Sequence, residues 1–143
     1  MRNSFKNSLE PSKKIFDPIP VRTEDVTRKI LDAAYKVHTA LGPGLLESVY
    51  EACLIYELKS GGFKIDSQLS LPVVYEEIIV DSGLRLDILV ENCVIVEIKA
   101  VENIIPLHKA QLLPYMKLTK TRLGLLIYFN TIHLKDGITR LVN

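Results

Sequence analysis

Three charged residues, Asp87, Glu97 and Lys99, stand inside two largely apolar segments of the chain. Charged side chains are rarely buried unless they are paired, so their position within two hydrophobic segments needs an explanation. Two carboxylates on adjacent strands can bind a hard cation such as Mg²⁺ through oxygen ligands. A lysine beside them can orient a water molecule or stabilise negative charge that develops on a phosphate. These residue types therefore suit metal-assisted attack on a phosphate ester.

The same residues also fit a plainer structure, an edge hairpin with one face in water. Glu97 and Lys99 are two positions apart on a strand, so they share a face and can form a neighbouring acid and base without any function. The pattern of Asp87, then Glu97, then Lys99 is short, and by itself it is only moderately specific.

The metal-site interpretation requires that Asp87 and Glu97 point to one face of a hairpin. A strict two-residue loop at Glu91-Asn92 would place Asp87 opposite Val96, and the two carboxylates would then diverge. An odd loop or a bulge restores the parity, and Asn92 tolerates the left-handed conformation that such a loop often needs. The interpretation thus predicts an odd connection between the two strands.

The segment before these strands is expected to form a tail and two helices. Residues 1–21 are polar and proline-containing without periodicity, which predicts a flexible tail that Phe16 and Ile19 attach to the body. Thr23 is the expected N-cap of the first helix. Gly42-Pro43-Gly44 is expected to end that helix, because glycine suits the position after a helix and proline cannot continue it.

The remaining elements follow from hydrophobic periodicity and from glycine and proline positions. A second helix is expected from Leu45 to Ser60, with its apolar stripe at Leu46, Val49, Cys53 and Tyr56 or Leu58. After it we expect strand segments over 63–80 with a break near Glu76-Glu77, a turn at Asp81-Ser82-Gly83, strands at Leu84–Val90 and Cys93–Ala100, a helix at Pro106–Thr119, a buried strand at Leu123–Phe129 and an edge strand at Gly137–Val142. This order predicts one α/β or α+β domain, residues 22–143, with a central mixed sheet flanked by helices.

Composition excludes several classes of protein. The chain of 143 residues is 48% hydrophobic and 24% charged, which is ordinary for a globular domain, and it lacks the long apolar run of a membrane span. No apolar leader follows the N-terminus, so a cytoplasmic location is expected, with Cys53 and Cys93 as reduced, partly buried thiols. Basic residues predominate after Lys99 and acids before it, which fits a phosphate track beside a metal site but also an ordinary solvated surface.

Several motifs, in their order along the chain, resemble the PD-(D/E)xK nuclease superfamily. The matching residues are Asp87 on one strand, Glu97-Ile-Lys99 on the next, and Gln111 and Tyr115 on the helix that follows. More narrowly, Gly44-Leu-Leu-Glu47-Ser-Val-Tyr50 resembles the GxxExxY signature of a family of small bacterial proteins within that superfamily. The resemblance extends over roughly 23–142 and includes the stretch Leu-Gly-Leu-Leu-Ile-Tyr-Phe-Asn that begins at Leu123.

The resemblance implies a restriction-endonuclease-like fold and a role for each matching residue. Asp87 would be the bridging metal ligand, Glu97 the second ligand and the Ile98 carbonyl a third oxygen. Lys99 would position the attacking water or stabilise charge in the transition state. Glu47 would complete or orient the metal site, although its position also suits a first-turn acid that the helix dipole favours. The implied cofactor is Mg²⁺ or Mn²⁺.

The third predicted helix adds a polar stripe. Gln111 and Tyr115 are expected to face the site and to support the Lys99 strand or the nucleic-acid backbone. His108 lies on the same stripe, where a metal or phosphate contact and plain exposure are both open. Tyr50 likewise either touches the site or packs in the core. Pro114 removes one hydrogen bond inside this helix and leaves the placement of Tyr115 open.

The resemblance therefore implies hydrolysis of phosphodiester bonds in DNA, with nucleic acid as the partner and no membrane. Two alternatives stay open: a non-catalytic nucleic-acid-binding or assembly module on the same fold, and a phosphodiesterase acting on RNA or nucleotides. A domain this small has little surface with which to grip a duplex, so a homodimer or a partner protein is also expected.

Overall fold

The structure, a computed structural model, describes residues 17–101 and 103–143, with the backbone alone at Ser82. Most of the expected tail, including Phe16, lies outside the described residues. The part that is described contacts the body: the carbonyls of Asp17 and Pro18 accept hydrogen bonds from the Arg122 guanidinium. Ile19 packs against the core, as the sequence predicted.

The described residues form three helices and five strands, in the predicted order. They are α1 (Val21–Leu41), α2 (Glu47–Ser60), β1 (Ile65–Tyr75), β2 (Ile78–Val90), β3 (Val94–Lys99), α3 (Pro106–Thr119), β4 (Leu123–Tyr128) and β5 (Ile138–Val142), with a 3₁₀ turn at Leu134–Gly137. The strands form one mixed sheet in the order β1-β2-β3-β4-β5. Only β3 and β4 are parallel, and α3 is the crossover that a parallel pair requires. Within the described ranges, no helix is both long and apolar enough to cross a membrane.

Helices cover the centre of the sheet on both faces, within a single α+β domain. On one face α1 and α2 pack over β3 and β4 residues such as Val96 and Leu125. On the other face α3 packs over Ile95 and Leu126 through Leu112 and Met116. The helix approaches β4 so closely that a Cβ at Gly124 would lie 2.9 Å from the Met116 sulfur. Because β3 and β4 are buried on both faces, the charged residues of β3 are held rigidly.

Two expectations about the helices were wrong in detail. The first helix begins at Val21, so the N-cap residue is Pro20 and not Thr23. The backbone of Pro20 is extended, and its carbonyl accepts the first helical hydrogen bond, from the Glu24 N–H. The buried stripe of α2 is Tyr50, Leu54 and Leu58, whereas Leu46, Val49 and Tyr56 are exposed. Of the expected stripe, only Leu58 and the half-buried Cys53 face inward.

The expected turn at residues 81–83 is also wrong, because these residues lie inside β2. The strand pairing shifts between Leu71 opposite Leu84 and Val73 opposite Val80, so Asp81-Ser82-Gly83 forms a bulge. Gly83 takes a φ of 68°, and its N–H donates to the Asp81 side chain. Turn-forming residues thus interrupt the ladder without ending the strand.

Candidate active site

The connection between β2 and β3 decides whether Asp87 and Glu97 converge. Val90 pairs with Val94 and Ile88 with Val96, so the loop consists of three residues, 91–93. Both Glu91 and Asn92 are left-handed, with φ of 51° and 55°. This odd loop places Asp87 directly opposite Glu97, which confirms the prediction that the two carboxylates converge.

At this pair the β2–β3 ladder gives way to side-chain hydrogen bonds. The regular pairing ends at Ile88 and Val96. Beyond it the Asp87 N–H donates to Glu97 Oε1 at 3.1 Å, and the Ile98 N–H donates to Asp87 Oδ2 at 2.9 Å. Each carboxyl group therefore uses one oxygen to hold the opposite strand, and the two side chains also hydrogen-bond to each other.

Glu97 is held in an environment that disfavours its negative charge. Its residue surface is only 6% exposed. Burial, and then the adjacent charge of Asp87, raise the pKa of Glu97 to about 8. The positive charge of Lys99 and the hydrogen bond from the Asp87 backbone act in the opposite direction but do not cancel these effects. A carboxylate of this kind gains from a nearby cation, since the cation would offset both penalties.

Strand β2 twists at Asp87, so that the residues on either side of Asp87 pack in different layers. Ile88 packs with the layer under α1 and α2, whereas Leu86, two positions earlier, packs with the layer under α3. Residues two apart on a regular strand share a face, so β2 twists at Asp87 between them. The opposite strand deviates at the same point, since Gln68 has a φ of 51° between the pairs Ser67–Ile88 and Leu69–Leu86. Asp87 thus lies where groups from both layers reach it.

The helix α3 brings Tyr115 toward the carboxylates. Tyr115 is half-buried, and its pKa is raised by burial and then by the charges of Glu97 and Asp87. Gln111, one turn earlier, is exposed. Lys99 is half-buried at the end of β3, where its charge acts on Glu97. The structure therefore gathers Asp87, Glu97, Lys99 and Tyr115, with Gln111 on the helix surface.

The helix α2 brings two acids to the other side of Asp87, one of which the sequence interpretation missed. Glu51 Oε1 accepts a hydrogen bond from Gln68 Nε2 at 2.8 Å. Burial raises the pKa of Glu51, and the charges of Asp87 and Glu47 raise it further. Across the described ranges, no three His, Cys, Asp or Glu side chains could hold a metal ion together. The charge of Glu47 acts on Glu51, and the role of Glu47 in the metal site stays a prediction.

Two residues that were left open have structural roles. Tyr50 is fully buried, stacks on Phe129 at 4.5 Å, and donates to the Gly42 carbonyl at 2.6 Å while accepting from the Leu45 N–H. It therefore fixes the glycine-rich turn before α2. His108 accepts a hydrogen bond from the Ile105 N–H through Nδ1 at 3.1 Å, which caps the start of α3. Both cysteines are unpaired and half-buried, as expected.

Comparison with known proteins agrees with the fold. Residues 24–141 match the PD-(D/E)XK nuclease superfamily, and this range contains almost all of the strands and helices described above. No curated protein and no solved structure gave a significant match. The match covers most of the chain and supports a nuclease-type function in general. The chain belongs to the PD-(D/E)XK nuclease superfamily.

Proposed function

We propose that this protein is a divalent-metal-dependent nuclease that hydrolyses phosphodiester bonds in DNA. The observation that carries the proposal is the Asp87–Glu97 pair: two carboxylates face each other across β2 and β3, and one of them has a pKa raised to about 8. Maintaining such a pair costs stability in the absence of a cation. Superfamily members are usually nucleases and generally use divalent metals.

The oxygen donors at this pair fit Mg²⁺ or Mn²⁺. Mg²⁺ commonly keeps several waters and takes one or two carboxylates from the protein, so a full cage of side chains is not required. Asp87 and Glu97 would supply the two carboxylates, and the Ile98 carbonyl a third oxygen. Glu47, on α2, would complete or orient the metal site. A bound cation would lower the pKa of a water molecule and offset charge on the phosphate.

The other residues around the pair would act on water and substrate. Lys99 shares a strand face with Glu97, so its ammonium group would hold the attacking water or meet the developing negative charge. Tyr115, whose pKa already responds to the Glu97 and Asp87 charges, would donate from its hydroxyl to a phosphate oxygen or a water. Gln111 is exposed and would contact the nucleic-acid backbone. Within the superfamily we place the chain in the GxxExxY family, through Gly44, Glu47 and Tyr50.

A cleavage panel tests the proposal. The purified protein is incubated with single-stranded, duplex and branched DNA and with RNA, in Mg²⁺, in Mn²⁺ or in chelator. We expect cleavage of at least one DNA substrate only when the metal is present, and none by an Asp87→Asn variant. Binding to DNA without any cleavage would favour the non-catalytic module. Cleavage of RNA alone would change the substrate class.

Metal binding is expected to be visible in melting temperature. Above the Glu97 pKa of about 8 both carboxyl groups are ionised, so in chelator at such a pH removal of the Asp87 charge relieves their repulsion and Asp87→Asn should melt higher than the wild type. Because a ligand that binds only the native state stabilises it by mass action, Mn²⁺ should raise the melting temperature of the wild type and hardly change that of the variant. Differential scanning fluorimetry with and without Mn²⁺ measures both effects. If Mn²⁺ changes the melting temperature of neither protein, the result contradicts the proposed metal site.

A further inference from the structure

Gln68 stands in an unusual position in the sheet. It lies within β1, between two regularly paired residues, and directly faces the point where Asp87 lies on β2. Its φ of 51° is left-handed, a conformation that non-glycine residues seldom adopt. The other described non-glycine residues with positive φ lie in a turn, a loop or a helix cap, whereas Gln68 lies inside a strand.

The side chain of Gln68 bridges two carboxylates from different elements. Its Nε2 lies 2.8 Å from Glu51 Oε1 on α2 and 3.5 Å from Asp87 Oδ1 on β2, the second contact being at the long end of hydrogen bonding. Ionised carboxylates only accept hydrogen bonds, so the amide must turn its NH₂ group to both of them. Each of the two amide hydrogens of Gln68 thus points to a different carboxylate.

The contacts of Asp87 show what this bridge does. Asp87 Oδ2 accepts the Ile98 N–H at 2.9 Å, so that oxygen is fixed to β3. The Gln68 amide faces the other oxygen, Oδ1, and together the two contacts set the rotation of the carboxyl group. Without the amide, Glu51 and Asp87 would face each other as like charges with no donor between them.

We infer that Gln68 is a positioning residue, anchored by Glu51, whose amide sets the orientation of the Asp87 carboxylate in the proposed metal site. The inference rests on the proposed function, because it concerns how a cation is bound there. Gln68 contacts neither metal nor substrate in this assignment. Groups that orient a metal-binding side chain typically contribute about 10- to 100-fold to metal affinity.

The experiment separates this role from a merely structural one. Isothermal titration calorimetry measures the Mn²⁺ Kd of the wild type, Gln68→Met, Gln68→Gly and Asp87→Asn, and chemical denaturation in chelator measures stability. Methionine keeps the length of glutamine without its donor, and glycine also relieves the left-handed backbone. Lys120→Gly is the matched control, since Lys120 is left-handed at the end of α3.

We expect the Mn²⁺ Kd to rise by about tenfold or more in both Gln68 variants. Stability in chelator should fall in Gln68→Met and be less affected in Gln68→Gly, so the loss of affinity cannot follow from instability. Lys120→Gly should bind like the wild type. If Asp87→Asn loses Mn²⁺ while both Gln68 variants keep the wild-type Kd, the inference is overturned and the proposed function stands. If Asp87→Asn binds like the wild type, the proposed metal site fails and this role fails with it.

Discussion

Lys99→Ala should lower the kcat of DNA cleavage by about 10²- to 10³-fold, the usual loss when a charge-stabilising donor is removed from an active site. The lysine is half-buried at the end of β3, two residues from Glu97, and its positive charge acts on that carboxyl group. Because Lys99 would stabilise charge and not bind metal, the Mn²⁺ affinity of the variant should stay close to that of the wild type. Initial rates at saturating substrate, together with calorimetric Mn²⁺ titration, measure the two quantities.

Variants of the other site residues should show which residues bind the metal and which act only on the substrate. Asp87→Asn and Glu97→Gln are expected to lose both cleavage and metal binding, whereas Gln111→Ala should lose less activity because it would only support the substrate. Lys29→Ala is the matched control, an exposed lysine on α1. Circular dichroism verifies that every variant is folded. Equal cleavage by wild type, Lys99→Ala and Asp87→Asn would place the activity elsewhere.

In chelator, the free energy of unfolding should decrease as the pH rises from about 5 to about 8. The pKa of Glu97 is about 8 in the native protein against an ordinary 4.5. Between these values the native state holds a proton that the unfolded chain has released, so raising the pH favours unfolding, by at most about 1.4 kcal/mol per pH unit. The stability that the Glu97 proton contributes is fully present when the pH is below the ordinary pKa. It is lost once the pH exceeds the pKa of Glu97 in the native protein.

Glu97→Gln isolates this effect from the titration of other groups. The glutamine keeps the shape of the side chain but carries no proton to lose, so the variant should lack this part of the slope and exceed the wild type in stability at pH 8. Urea denaturation of both proteins at several pH values measures the difference. Mn²⁺ should stabilise the wild type more as the pH rises, because a cation binds the deprotonated carboxylate. Parallel stability curves for the two proteins would contradict the assignment.

The sequence predicted the elements well where local patterns determine them. The apolar run at Leu123–Phe129 predicted a strand that is buried on both faces, and proline and glycine marked the ends of helices. The pairing of Asp87 with Glu97 was expected from the metal-site interpretation, which required an odd loop between the two strands. The inward face of α2 was not predicted correctly. The buried Tyr50 hydrogen-bonds to the Gly42 carbonyl in the turn before the helix, and this contact sets the rotation of α2. Such an anchor depends on tertiary contacts and leaves no periodic signal.

The contributions of Glu51 and Gln68 escaped prediction for a related reason. Glu51 follows Glu47 by one helical turn, a spacing that on its own is typical of any solvated helix face. Gln68 meets Asp87 only because the long β1–β2 hairpin absorbs a bulge at residues 81–83, which changes the register between the turn and the site. The residue opposite Asp87 on β1 therefore cannot be found by counting residues from the hairpin turn, because the bulge shifts the register.

The three-residue loop between β2 and β3 has a consequence for interpreting related genes. A homologue could retain every acidic and basic residue of the site yet have one residue more or fewer between Val90 and Val94. The side chains of one strand would then project to the opposite face, and the carboxylates would separate. Surveys that score only the identity of the charged residues would count such a chain as intact. The length of this loop is thus a criterion for distinguishing active members from relatives that keep the fold without the chemistry.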